Sequence, residues 1–144
     1  MMSMKIEFEI TEVPKSEQMK YATAYVEGEL KITVSNHLFF CQPGILLIEL
    51  ASFMKNWLDR VKRGHHEDFV YETMDHDEPI ITIRYVDENG LEIDSIWRET
   101  QSSECVLVME VTKAFENYLS ELEKALENLS GIRLQDVLDH LSGQ

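Results

Sequence analysis

Two alternating stretches near the start of the chain predict β-strands. In Lys5–Val13, apolar Ile6, Phe8 and Ile10 are separated by polar residues, the two-residue period of a half-buried strand. Ala22–Val34 alternates in the same way, which is long for one strand. Its central glycine marks a bend or bulge, or splits the run into two strands. A third, short strand is predicted from the apolar run just before residue 41.

The clearest element is a helix over Pro43–Gly64. Pro43 suits a first helical turn, where its missing N–H leaves no intrahelical bond unmade. Gly64 suits the residue after the last turn. Apolar residues recur between them at steps of three and four, which predicts one broad buried face. They are Leu46, Leu47, Leu50, Phe53, Met54, Trp57, Leu58 and Val61.

The second half predicts a short strand, a hairpin and another helix. Phe69–Tyr71 is the short strand. Ile80–Val86 and Leu91–Trp97 are strands joined through Asn89-Gly90, a strong hairpin signal. Val106–Ser130 carries a helical apolar stripe, although its first residues are equally compatible with a strand.

The order of elements predicts the fold class. Strands, a helix, strands and a second helix, with hairpins rather than βαβ units, indicate an α+β fold. We expect a mostly antiparallel sheet of about five to six strands, with two long helices packed on one face. At 144 residues, the chain is interpreted as a single domain over residues 1–144.

Charge is distributed unevenly along the chain. The net charge is −14, of which residues 64–104 carry −10, whereas residues 1–63 are neutral on balance. Such a field repels nucleic acid and anionic membranes and attracts a basic protein partner. A solubility device without a specific partner is the alternative interpretation of the same charge.

Cellular location is predicted from features that are missing. No apolar run has the length of a membrane span, and the N-terminus lacks the layout of a signal peptide. Cys41 and Cys105 lie far apart and match no metal or redox spacing. We therefore expect a cytoplasmic protein with reduced thiols and no membrane partner.

No motif in the sequence indicates catalysis or a cofactor. There is no nucleophile elbow, phosphate-binding loop or dinucleotide fingerprint. His37 and Cys41 are neighbours in sequence but need not meet in space. The histidines and acids of residues 65–78 are metal-ligand types without a recognised spacing, so we interpret them as solvated loops. The prediction is a non-enzymatic protein without metal or cofactor.

A partner-binding surface is predicted instead. Aromatic and acidic residues would lie on the exposed face of the long strand, and further acids fill the loops of residues 64–104. The candidate partner-binding residues are Tyr25, Glu27, Glu29, Glu67, Asp68, Asp75, Asp77, Glu78, Asp87 and Glu88.

Several short segments carry a resemblance to a protein group. They are Leu38–Gly44 leading into Leu46–Leu50, Asp68–Glu72, Glu78–Ile80 and Ser95–Trp97. Together they resemble small uncharacterised α+β proteins of Gram-positive bacteria, some of which are similar to immunity proteins of polymorphic toxin systems. The resemblance spans roughly residues 5–127 and identifies no catalytic residue.

These observations favour an immunity protein that neutralises a basic toxin through an acidic surface. Three alternatives stay open: a small-molecule-binding domain with a pocket between sheet and helices, a structural homodimer, and an enzyme that uses carboxylates or the loops at His65–His66 and Asp75–Glu78. A homodimer could form through the exposed sheet face or an unpaired sheet edge.

Overall fold

The computed structural model describes residues 3–12, 26–73, 77–130, 133–135 and 138–139. Seven strands and two long helices lie within these ranges. In chain order they are β1 (Met4–Glu12), β2 (Glu27–Val34), β3 (His37–Leu46), α1 (Leu47–Lys62), β4 (Phe69–Tyr71), β5 (Ile81–Tyr85), β6 (Gly90–Ser95), β7 (Glu104–Leu107) and α2 (Val108–Ser130).

The strands form two antiparallel sheets. β1, β2 and β3 form one in that order, and β4 to β7 form the other. The α+β class is confirmed, but the single sheet of five to six strands is wrong. Alternation shows which face of a strand is buried and does not show which strand is its neighbour. Here α1 follows β3 and precedes β4, and the strands before it pair separately from the strands after it.

The first helix begins later than its sequence signals indicate. Pro43 and Gly44 belong to β3, and Gly44 adopts a positive φ of 70°. The ladder between β2 and β3 continues to the pair Glu27–Leu46, so strand pairing extends over the predicted first turn. The predicted end is confirmed, since Gly64 has a φ of 88° and its N–H donates to the Val61 carbonyl at 3.0 Å.

The irregularity predicted at Gly28 is confirmed. The register between β2 and β3 shifts between Gly28 and Leu30. A Cβ atom at Gly28 would meet the Glu9 carbonyl oxygen on β1 and lie 2.8 Å from Cδ1 of Leu47. Only glycine therefore lets β1 and the start of α1 approach β2 this closely.

The predicted hairpin between β5 and β6 is also confirmed. The Asp87 carboxylate accepts the N–H groups of Asn89 at 2.9 Å and Gly90 at 2.7 Å, which fixes the turn. The ambiguous residues before α2 form the edge strand β7, which pairs with β6.

Both helices pack against strands through their apolar faces. Trp57 of α1 contacts Phe69 of β4 and Phe115 of α2 in edge-to-face geometry. Phe8 of β1 contacts Tyr118 of α2 edge-on, with ring centroids 5.5 Å apart. α2 contacts both β1 and β7, so it links the two sheets. Within the described ranges, neither helix is long and apolar enough to cross a membrane.

Candidate functional site

The exposed face of the first sheet brings glutamates of two strands together. β1 and β2 alternate, with apolar side chains turned inward and charged ones outward. The register places Glu9 directly opposite Glu29 and, after a bulge, Glu12 opposite Glu27. We call these four residues the acidic face.

Like charges directly opposite each other on a sheet destabilise it. The two lysines of these strands do not lie directly opposite the paired glutamates. Lys31 lies opposite Glu7, and Lys5 lies opposite Thr33. Lys31 is a diagonal neighbour of Glu9 and lies two residues from Glu29 on the same face, so the acidic face is a cluster of four carboxylates with one cation at its border.

Cys41 of β3 extends the same surface. Its thiol donates to Oε1 of Glu29 at 3.8 Å, a weak sulfur hydrogen bond. Desolvation raises the pKa of the thiol, and the negative charges of Glu29 and Glu99 raise it further. Lys31 acts in the opposite direction. This environment favours the neutral thiol, whereas a nucleophilic cysteine needs a lowered pKa.

Two other predicted residues, Glu67 and Asp68, have structural partners. Glu67 forms an ion pair with Arg60, and its carbonyl accepts the Trp57 indole N–H at 2.8 Å. The Asp68 carboxylate accepts the backbone N–H of Tyr85 at 3.1 Å. That carboxylate and burial of the ring raise the pKa of Tyr85, burial being the larger cause.

The remaining predicted acids lie at opposite ends of β5. Asp77 and Glu78 are exposed before the strand begins, and Asp87 and Glu88 are exposed after it ends. Five strand residues separate the two pairs by roughly 15 Å. Asp77 and Glu78 are therefore apart from Asp87 and Glu88, which lie at the same end of β5 as Asp68, whose carboxylate bonds the Tyr85 N–H. Tyr25 and Asp75 lie outside the described residues.

Two ion pairs neutralise part of the charge on the second sheet. Arg84 contacts Glu92 at 2.6 Å, and Arg98 contacts Asp94 at 2.9 Å. These are the two basic residues of the acidic segment 64–104, and both are engaged with acids there. These two contacts are balanced in charge, and the other ten of the segment's twelve acids account for its net charge of −10.

In the parts of the chain that the structure describes, no group of three or more His, Cys, Asp or Glu side chains is arranged to hold a metal ion.

A groove of about 790 Å³ runs between β1 and α2. Met4, Ile6 and Phe8 line one wall, and Ala114 and Ala125 lie on the helix side. Exposed polar residues of α2 complete it, namely Asn117, Glu121, Lys124 and Asn128. Lys5 and Glu7 of β1 line the groove as well, so both of its walls combine apolar and charged residues.

A family model described as "Domain of unknown function (DUF7878)" matches residues 2–128. The chain belongs to the DUF7878 family. The DUF7878 match includes all four residues of the acidic face and every residue that lines the groove between β1 and α2. Leu134 and Leu138, which are buried beyond α2, lie outside it. No match to the chain was found among curated proteins or among solved structures.

Sequence reasoning included Glu27 and Glu29 but missed Glu9 and Glu12. Glu9 lies on the polar side of the predicted first strand, so its exposure was available from the alternation. Its position opposite Glu29 depends on the register, which the pattern does not specify. Glu12 could not be found in this way, because a bulge between Ile10 and Glu12 changes the pairing.

Proposed function

We propose that the protein is a non-enzymatic binding protein that holds a basic protein partner against its acidic face. In this proposal it acts as an immunity protein, and the partner is a basic toxin. Binding takes place in the cytoplasm, where the two cysteines, both free in the structure, stay reduced.

The observation that carries the proposal is the pairing of Glu9 with Glu29 and of Glu12 with Glu27. A cationic side chain of the partner that lies between two opposed carboxylates is attracted by both and reduces the repulsion between them. Arginine suits this position because its planar fork of donors can bond two carboxylates. Electrostatic attraction of this kind speeds association and weakens as salt rises.

The test is capture of a defined partner. The products of the genes adjacent to that of this chain would be expressed with affinity tags and tested for retention of the purified protein. We expect one basic product to retain it at low salt and to release much of it at high salt. Retention by none of them, or retention indifferent to salt, would contradict the proposal.

The small-molecule-binding alternative stays a prediction. The groove between β1 and α2 is where the described residues leave room for a ligand. Ligand-observed NMR with a fragment collection, compared with an Ala125→Trp variant that fills the groove, would test it. Binding that disappears in the variant would favour this alternative over a protein partner.

A further inference from the structure

The outer edge of β1 is the longest strand edge without a neighbour among the described residues. β4 and β7, the edge strands of the second sheet, have three and four residues, and β1 has nine. The free edge of β3 is partly covered, since the Glu99 N–H donates to the Phe39 carbonyl at 2.7 Å. Proteins usually shorten or cover such edges because unpaired backbone groups recruit further strands.

The hydrogen-bond pattern shows which groups this edge presents. The Ser35 N–H donates to the Ser3 carbonyl at 2.8 Å, so Ser3 and Ser35 form a hydrogen-bonded pair. In an antiparallel ladder such pairs alternate with non-hydrogen-bonded pairs. Met4, Ile6 and Phe8 therefore direct their N–H and C=O groups away from β2, towards the open edge.

Space and apolar surface lie beside this edge. Ile6 and Phe8 are only half-buried, and they line the groove between β1 and α2 together with Met4. On the helix side, Ala114 and Ala125 add apolar surface beside the exposed polar residues Asn117, Glu121, Lys124 and Asn128. An added strand can therefore place its inward side chains in the groove.

We propose that a second copy of this chain occupies the edge, with the two β1 strands antiparallel about a twofold axis at Ile6. Ile6 then exchanges both backbone hydrogen bonds with Ile6 of the second copy, and Met4 does so with Phe8 of the second copy. The two three-stranded sheets join into one sheet of six strands.

Charge selects this register from the alternatives. With the axis at Ile6, Lys5 lies opposite Glu7 of the second copy, and the twofold repeats this pair. An axis at Lys5 places two lysines opposite each other, and an axis at Glu7 places two glutamates opposite each other. An axis at Phe8 places Glu7 opposite Glu9. Only the axis at Ile6 gives two opposite-charge pairs and no like-charge pair.

The Lys5–Glu7 pairs fall at non-hydrogen-bonded positions of the new ladder, where side chains are closest. Such pairs contribute most when opposite in sign and cost most when alike. Both residues are exposed on the outer sheet face. The dimer therefore does not require either charge to be buried, and it leaves both acidic faces open.

The first test is molar mass by sedimentation equilibrium over a dilution series. Wild type should approach twice the 16.8 kDa chain mass at the highest concentrations. Lys5→Glu and Glu7→Lys should each remain monomeric, because each sets like charges opposite each other. An equimolar mixture of the two should dimerise, since both pairs across the axis then join opposite charges. Arg63→Glu, which makes the same charge change as Lys5→Glu but at the exposed end of α1, should behave as wild type.

Amide hydrogen exchange of wild type provides a second readout that needs no variant. The amides of Ile6 and Phe8 should exchange more slowly as protein concentration rises, whereas those of Lys5 and Glu7, already bonded to β2, should change little. A wild type that stays monomeric, or a dimer that Lys5→Glu leaves intact, would overturn the proposal. The register would be overturned if Lys5→Glu dimerised when mixed with Glu9→Lys but not when mixed with Glu7→Lys.

Discussion

At the scale of single residues, the tyrosines show how burial determines chemistry. The Tyr118 hydroxyl, fully enclosed between α2 and the start of α1, donates to the Leu47 carbonyl at 2.7 Å. Desolvation raises the pKa of Tyr118, and nearby Tyr71 raises it further. Desolvation and the negative charge of Glu49 raise the pKa of Tyr71 in the same direction. Both groups must therefore remain protonated in the folded protein.

Tyr118→Phe should lower the free energy of unfolding by about 1–2 kcal/mol at neutral pH, through loss of a buried hydrogen bond. A group whose pKa is raised by folding stabilises the folded state below its unfolded pKa and loses that effect as pH rises. Wild-type stability should therefore fall above about pH 10. The variant should fall less steeply, and urea unfolding at a series of pH values measures both slopes. Equal slopes would contradict the assigned role of Tyr118.

Cys41 tests the electrostatics of the acidic face directly. Because Glu29 raises the pKa of its thiol, Glu29→Gln should increase the rate of Cys41 alkylation at a fixed, mildly alkaline pH. The measurement uses iodoacetamide and mass spectrometry in a Cys105→Ser background. Asp77→Asn, which removes a distant charge, should leave the rate unchanged. No acceleration by Glu29→Gln would show that Glu29 does not act on the thiol.

At the scale of elements, the close approach of two strands and a helix matters more than the secondary-structure propensity of a single residue. Gly28 lies where β1, β2 and the first residue of α1 converge, and its missing side chain makes the convergence feasible. A change at this position therefore affects the whole first sheet and its connection to the helix.

Gly28→Ala should destabilise the protein by about 1–3 kcal/mol, since the added methyl group overlaps a backbone carbonyl that cannot move alone. Chemical denaturation measures the change. Glu29→Ala, at the exposed neighbouring position, should stay within about 0.5 kcal/mol of wild type. Equal effects at the two positions would mean that the crowding at Gly28 is not a constraint.

The same scale shows what the sequence could predict. Alternation and turn chemistry predicted β1, the β5–β6 hairpin and the end of α1, because each depends on neighbours within a few residues. The division into two sheets and the start of α1 depend on partners far along the chain. Pro43 suits a helix start locally, yet pairing of Glu27 with Leu46 keeps the chain extended beyond it. The acidic face required the register as well as the pattern.

At the scale of the whole molecule, the distribution of negative charge in the folded structure differs from its distribution along the sequence. The acidic segment 64–104 pairs both of its arginines and places Asp77 and Glu78 at one end of β5, with Asp68, Asp87 and Glu88 at the other. The N-terminal sheet belongs to a segment that is neutral on balance, yet it opposes four glutamates in two pairs. This cluster of carboxylates therefore arises from register and not from composition.

That arrangement predicts a cost in stability. Glu9→Gln/Glu29→Gln should raise the free energy of unfolding by a few tenths of a kcal/mol, and by at most about 1 kcal/mol, by removing one like-charge pair. The gain should shrink as salt screens the pair. Urea unfolding at low and high salt measures it. A loss of stability in the variant would show that these carboxylates are satisfied within the monomer.

Affinity for the captured basic partner tests the central claim most directly. Isothermal titration calorimetry would compare wild type with Glu9→Gln/Glu29→Gln and with Asp77→Asn/Glu78→Gln, which removes the same charge far from the acidic face. We predict that the first variant weakens binding at least about tenfold while the second stays close to wild type. Equal affinities for all three, or a larger loss in the second variant, would contradict the assignment of binding to the acidic face.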